Sequence, residues 1–214
     1  MEDSLLQGLV DKSLTGKELF REVMENWDLL PKVLGGVSSS KAAIRYGCAK
    51  VLMDLSEKHP DKLYPHMDFF VNLLDSKYRI LTWNALAIIA SLTKVDGEKK
   101  FDKIFNIYYD LVNDEYMVTV ANVVGNSSKI ALAKPYLTDR ITNELLKVEN
   151  ISTSPHLTEE CKRVIAEQAI QSFNIFFDQV KQKEKVIRFA ERHVATSRRT
   201  LNMAAEKFLK KWAK

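Results

Sequence analysis

Four histidines, His59, His66, His156 and His193, and two cysteines, Cys48 and Cys161, are the side chains best able to hold a metal or attack a substrate. Their spacing favours neither role. A helical metal pair needs ligands three or four residues apart, and a zinc loop usually supplies Cys-x-x-Cys. No two histidines stand at the helical spacing, and neither cysteine belongs to a Cys-x-x-Cys. His156 lies near Glu159 and Glu160, but carboxylates there suit a helix start, where they meet the positive end of the dipole. Gly35-Gly36 is followed by Val-Ser-Ser-Ser-Lys rather than by a phosphate loop. No Gly-x-Ser-x-Gly turn presents a serine nucleophile. These residue types and spacings predict a protein without metal, cofactor or catalysis, although a triad assembled in space leaves no local motif.

Two other sets of residues suit binding. The first is cationic. Residues 1–95 hold 12 basic and 12 acidic side chains, and residues 96–180 hold 9 and 13. Residues 181–214 hold 11 basic and 3 acidic, so the net charge of +4 arises from this last stretch. Its cations interleave with Phe189, Phe208 and Trp212. Arg188, Arg192, Arg199, Lys207, Lys210 and Lys211 are the outward-facing candidates for phosphate backbones or an acidic protein. The simpler role for them is a solvated outer face of a terminal repeat. The second set is Trp83, Asn122, Asn126, Glu167, Gln171 and Asn174. Carboxamides both donate and accept, so a row of them can pair with an extended peptide backbone. Whether they form a row depends on the elements that carry them.

Those elements are helices. Only 7 glycines and 5 prolines punctuate 214 residues, 46% of them hydrophobic and 28% charged. Asp75 to Thr93, opened by the capping pair Asp75-Ser76, holds apolar or small residues at spacings of three and four. One frame recurs. Arg45 is followed by Cys48, Val51-Leu52 and Leu55, and Arg79 by Thr82, Ala85-Leu86 and Ile89. Val118 is followed by Ala121, Val124-Gly125 and Ser128, in a degenerate copy without the arginine. Arg163 is followed by Ala166, Ala169-Ile170 and Phe173, and Arg198 by Leu201, Ala204-Ala205 and Phe208. The starts are 34, 39, 45 and 35 residues apart, a spacing for helical hairpins. The insertion Glu149–Pro155 explains the longest gap.

First helices are expected over roughly 28–36, 62–74, 98–112, 136–148 and 183–194, and second helices over roughly 40–57, 76–93, 115–132, 158–180 and 197–213. Asp75, Asp114 and Thr158 stand where N-caps belong. Pro60 and Pro135 stop the helices before them, and Pro31 and Pro65 fit first turns. Ahead of the repeats, Thr15-Gly16-Lys17-Glu18 is a capping box. The recurrent arginine can reach carbonyls or an acidic turn of an adjacent repeat. Residues four, eight and eleven after each frame start point outward, which puts Ala49, Trp83, Asn122 and Glu167 together, then Asn126 and Gln171, then Ser56, Ala90 and Asn174.

Over residues 28–213 the chain resembles the HEAT-repeat family. Ile44-Arg45, Tyr78-Arg79 with Asp75 upstream, Arg163 and Arg198 carry the likeness. It departs at Val118 and at Ser38-Ser39-Ser40, which stands in place of the acidic turn. The resemblance implies an all-α, right-handed superhelix of about five hairpins (28–214) behind N-terminal capping helices (1–27). It also implies that second helices line a concave face. Armadillo proteins carry asparagine ladders on that face, paired as Trp-x-x-x-Asn, whereas Trp83 here is followed by Ala87. The expected function is a scaffold for a protein or peptide. Nucleic acid at the basic end is the alternative. The resemblance also reaches DNA alkylpurine glycosylases, for which Trp83 with Glu167 is the nearest pairing.

No apolar run approaches the roughly 20 residues that span a bilayer. Acidic residues precede a short apolar run in MEDSLLQGLV, unlike a secretory signal. With two cysteines and no disulfide framework, the expectation is a cytoplasmic protein without membrane contact.

Overall fold

The computed structural model describes residues 4–213, and every regular element in them is helical. The chain forms two compact units, Met1–Gly97 and Glu98–Lys214. The first contains α1 (Ser4–Asp11), α2 (Gly16–Glu25), α3 (Leu30–Gly36), α4 (Ala42–Lys58), α5 (Pro60–Leu63), α6 (Met67–Asn72) and α7 (Arg79–Leu92). The second contains α8 (Lys100–Asp110), α9 (Met117–Ala133), α10 (Thr138–Leu146), α11 (Glu159–Phe176), α12 (Lys183–Glu191) and α13 (Arg199–Trp212).

In the first unit α4 is central, packing against α1, α2, α3 and α7. α2 starts with the full capping box: Glu18 N–H donates to Thr15 Oγ1, and Thr15 N–H donates to Glu18 Oε2. Cys48, Val51, Leu52 and Leu55 are buried, as the frame requires. Gly36 lets α3 approach α4, because a Cβ there would lie 2.5 Å from Cys48 Sγ. Burial raises the Cys48 thiol pKa to about 12, which leaves it an inert apolar filler. α4 and α9 both end one residue before the residue that precedes a proline, and His59 and Lys134 leave the α region there. Pro65 fits a first turn, at the start of the 3₁₀ turn Tyr64–His66 that separates α5, which opens at Pro60, from α6.

In the second unit α8 buries Phe101, Phe105, Tyr108 and Tyr109, whose spacing makes one helix face, and Val112 is buried in the 3₁₀ turn that follows. α11 packs on α9 on one side and α13 on the other. Ser172 Oγ donates to the Val124 carbonyl at 2.7 Å, so α11 and α9 are in close contact. A Cβ at Gly125 would lie 3.3 Å from Gln168 Oε1.

The second helices start later than their sequences suggest. α7 begins at Arg79 with Tyr78 as N-cap, and neither Asp75 nor Asp114 caps its helix directly. Instead Ser39, Ser76 and Asp114 each accept the N–H two residues on, three residues before the first helical residue. This turn aims the chain into the helix. Thr158 is a true cap, accepting from Cys161 N–H. The inserted segment closes as a turn with a bridge between Ser154 and Leu157, and it docks on α9's start. Ser154 Oγ donates to the Glu115 carbonyl, and His156 stacks on Tyr116 with ring centres 4.4 Å apart.

The third copy of the frame is one residue out of phase. α9 buries Val120, Val123, Val124 and Ser127, while Ala121 and Gly125 are half-exposed. Aligning Tyr116-Met117 with Tyr78-Arg79 restores the pattern. Gly125 and Ser128 stand inside a helix 17 residues long; packing outweighs propensity there.

Candidate functional site

The outward faces of the second helices carry most of the residues singled out for binding. Not all positions assigned to that face lie on it. Ala49, Ser56 and Ala90 are buried, because neighbouring helices cover more of α4 and α7 than one stripe. Trp83 is half-buried and shares α7 with Ile80, which is 40% exposed.

In the second unit the carboxamides divide by what they already hold. Asn122 Nδ2 donates to the Val118 carbonyl at 2.8 Å, and Asn126 Nδ2 to the Asn122 carbonyl at 2.9 Å. Each thus bonds its own helix four residues back. Asn174 Oδ1 accepts the Trp212 indole N–H at 2.9 Å and ties α11 to the end of α13. Gln171 is exposed. Glu167 is not an open ligand. Its Oε2 accepts from Arg198 Nε at 2.9 Å and from Thr200 Oγ1 at 2.6 Å, so its charge is spent on the adjoining hairpin.

Arg198 shows what the recurrent arginine does. It reaches back to Glu160, in the first turn of α11, at 2.7 Å as well as to Glu167. The Arg198 hydrogen bond, followed by the Arg163 one, holds the Glu160 carboxyl below its usual range. Arg45 uses the other mode. Its guanidinium donates to the Ser39 and Ser40 carbonyls and lies 3.8 Å from the Tyr78 ring centre.

The basic set divides too. Arg192 makes a bidentate pair with Glu149, 2.6 Å on each arm, and Arg188 lies 3.7 Å from Glu184. Arg199, Lys207, Lys210 and Lys211, all on α13, are exposed. Beside Lys207 runs a groove of about 400 Å³ between α11 and α13, lined by Gln171, Ile175 and Met203 among others. Ile175 and Met203 are each 54% exposed, and sequence reasoning missed both. The frame gave no signal for them, since twelve residues after Arg163 and five after Arg198 are neither its core nor its outward positions. Among the described residues, no three histidine, cysteine or carboxylate side chains converge to hold a metal ion.

His193 closes a cleft of about 360 Å³ with Glu149, Arg163, Phe189 and Arg192. Its Nε2 is buried without a partner. Burial pushes the imidazole below its ordinary pKa, against the raising influence of Glu149 and with some help from Arg192. The folded state therefore keeps His193 neutral where the unfolded chain already takes a proton. Its contribution to stability is complete above the ordinary histidine range and is lost as pH falls through the folded-state value. Melting temperature should drop between about pH 7.5 and 5, and His193→Gln should flatten part of that drop. Identical pH profiles for the two proteins would refute the assignment.

No family model matches the chain, and no curated protein sequence matches it. Solved structures do. The designed armadillo repeat protein YIII(Dq)4CqI is 16% identical, with a TM-score of 0.59 over 97% of this chain and 91% of that one. A second designed armadillo repeat protein, YIII(Dq.V1)4CPAF in complex with the peptide (KR)4, is 14% identical, with a TM-score of 0.63 over 98% and 92%. The fold of this chain is thus an all-α solenoid of the armadillo and HEAT kind.

Proposed function

We propose that this chain is a non-catalytic scaffold that holds a protein or peptide on the outward faces of its second helices. The observation that carries the reading is the pair Ile175 and Met203, apolar and more than half exposed, beside the exposed carboxamide of Gln171. Core packing has no use for such a pair, whereas a partner's side chain does. A chain of the same fold is found in complex with a peptide, which supports the reading.

Selection from a displayed random-peptide library tests it. The expected result is an enriched consensus whose binding falls when Gln171→Ala and Met203→Asp are combined. No enrichment, or equal binding by the substituted protein, would overturn the reading.

The second reading, nucleic acid at the basic end, is favoured by the exposed cations of α13. It calls for weak, sequence-independent binding, near the non-specific range of roughly 10⁻⁴ to 10⁻⁶ M at physiological salt. With Arg199, Lys207, Lys210 and Lys211 of α13 engaged, the log–log salt slope on duplex DNA should be about −3.6. Nanomolar affinity at about 150 mM salt would put nucleic acid first.

A further inference from the structure

We propose that the groove between α11 and α13 takes an acidic peptide segment bearing an aliphatic or aromatic anchor residue. This rests on the scaffold reading and gives it a partner chemistry. The floor of the groove is apolar, with Ile170 and Phe208 buried beneath it and Ile175 and Met203 standing exposed at its edges. Such a floor receives an apolar side chain and says nothing of charge.

Charge comes from α13. Arg199, Met203, Lys207 and Lys211 recur every four residues, which sets three cations and one apolar side chain along a strip of the helix. Lys207 lines the groove itself. Three other cations of the basic segment are paired within the fold: Lys181 with Asp139 at 3.0 Å, Arg192 with Glu149 at 2.6 Å and Arg198 with Glu160 at 2.7 Å. Among the described residues, no carboxylate lies within ion-pair distance of Arg199, Lys207, Lys210 or Lys211. Lys183 and Lys185 of α12 are also exposed, but the four cations of α13 stand on a helix that borders the apolar groove. The complement is a segment with carboxylates on either side of an apolar residue. From Arg199 to Lys211 the strip is about 18 Å long at 1.5 Å per residue. That matches roughly five or six residues of extended peptide.

A polynucleotide fits this surface less well. Single strands bind by stacking bases on open aromatic faces. The aromatic ring at this end, Trp212, is already committed. Its N–H is bonded to Asn174, Phe177 lies 5.0 Å from its ring centre, and Lys211 Nζ sits 4.1 Å from it. Ile175 and Met203 offer a phosphate chain nothing.

Fluorescence anisotropy with the whole protein tests the proposal. The probes are fluorescein-labelled Asp-Glu-Asp-Leu-Phe-Glu-Asp-Glu, the same peptide with Ser-Ser for Leu-Phe, a Lys/Arg counterpart, and an oligothymidylate of eight nucleotides. The acidic anchored peptide is expected to bind, and the Lys/Arg peptide is not. Loss of the anchor, Lys207→Glu and Met203→Asp should each raise Kd about tenfold. Lys185→Glu makes the same change in net charge on α12, away from the groove lining, and should leave Kd unchanged. All three substituted side chains are exposed, so melting temperatures should match the parent's. The proposal is overturned if the acidic peptide does not bind or if Lys207→Glu leaves its affinity unchanged. It is equally overturned if oligothymidylate binds as tightly and is indifferent to Met203→Asp. A non-acidic consensus from the displayed library would defeat this inference while leaving the scaffold reading intact.

Discussion

Phe177→Ala is expected to destabilise the second unit by about 3–5 kcal/mol, as large-to-small substitutions of buried aromatics do. Phe177 is 2% exposed and stands between two rings of α13, with Phe208 edge-on at 5.0 Å and Trp212 tilted at 5.0 Å. Truncation leaves a cavity that the helix termini around it fill poorly. It also removes the ring that supports Trp212, whose indole N–H bonds Asn174. Two measurements separate a local from a global effect. Urea titration reads the total loss of stability. Hydrogen exchange at the Trp212 indole N–H reads the seating of α13, and its protection should collapse in the variant before the backbone amides of α9 are affected. A loss under about 1 kcal/mol would mean that Phe177 does not hold α13 in place.

Ala169→Leu should cost about 1–3 kcal/mol for the opposite reason, overpacking. Ala169 has no exposed surface, and it lies on α11, the helix clasped by α9 and α13. One turn on, Ser172 Oγ donates to a backbone carbonyl of α9 at 2.7 Å, which fixes how near the two helices come. Extra methyl groups at Ala169 must push against neighbours whose spacing that bond pins. Ala169→Ser adds a single oxygen and should cost less. If the leucine variant melts with the parent, the frame that puts Ala169 at the helix contact is wrong.

That frame was the most legible part of the chain. At Cys48, Val51-Leu52 and Leu55, and at Ala169, Ile170 and Phe173, period and burial agree, because one stripe per helix faces the core. It failed where the neighbourhood, not the period, decides. In α9, small residues occur on both sides of the correct stripe, so Ala121 and Gly125 read as well as Val120 and Val123. Ala49, Ser56 and Ala90 lie off the predicted stripe yet are buried, because α4 and α7 are covered on more sides than one. The binding face was harder. Charge counting grouped Arg192 with Lys207, yet Arg192 has a bidentate partner 43 residues away, and no local pattern encodes it. Glu167 read as an outward carboxylate for the same reason: its partners Arg198 and Thr200 belong to the next hairpin.

The Arg198 pairs bear on how an array of this sort can lengthen. Both carboxylates that Arg198 engages, Glu160 and Glu167, belong to α11, the second helix of the hairpin before it. The docking instruction at this junction runs backward along the chain and is split between two hairpins. Duplicating an unrelated hairpin into the junction would strand the guanidinium on one side and two acids on the other. A duplication that copied α10 to α13 as a block would carry donor and acceptors together. At this junction, then, the unit that can be multiplied without loss is a pair of hairpins, although the sequence repeats one hairpin at a time.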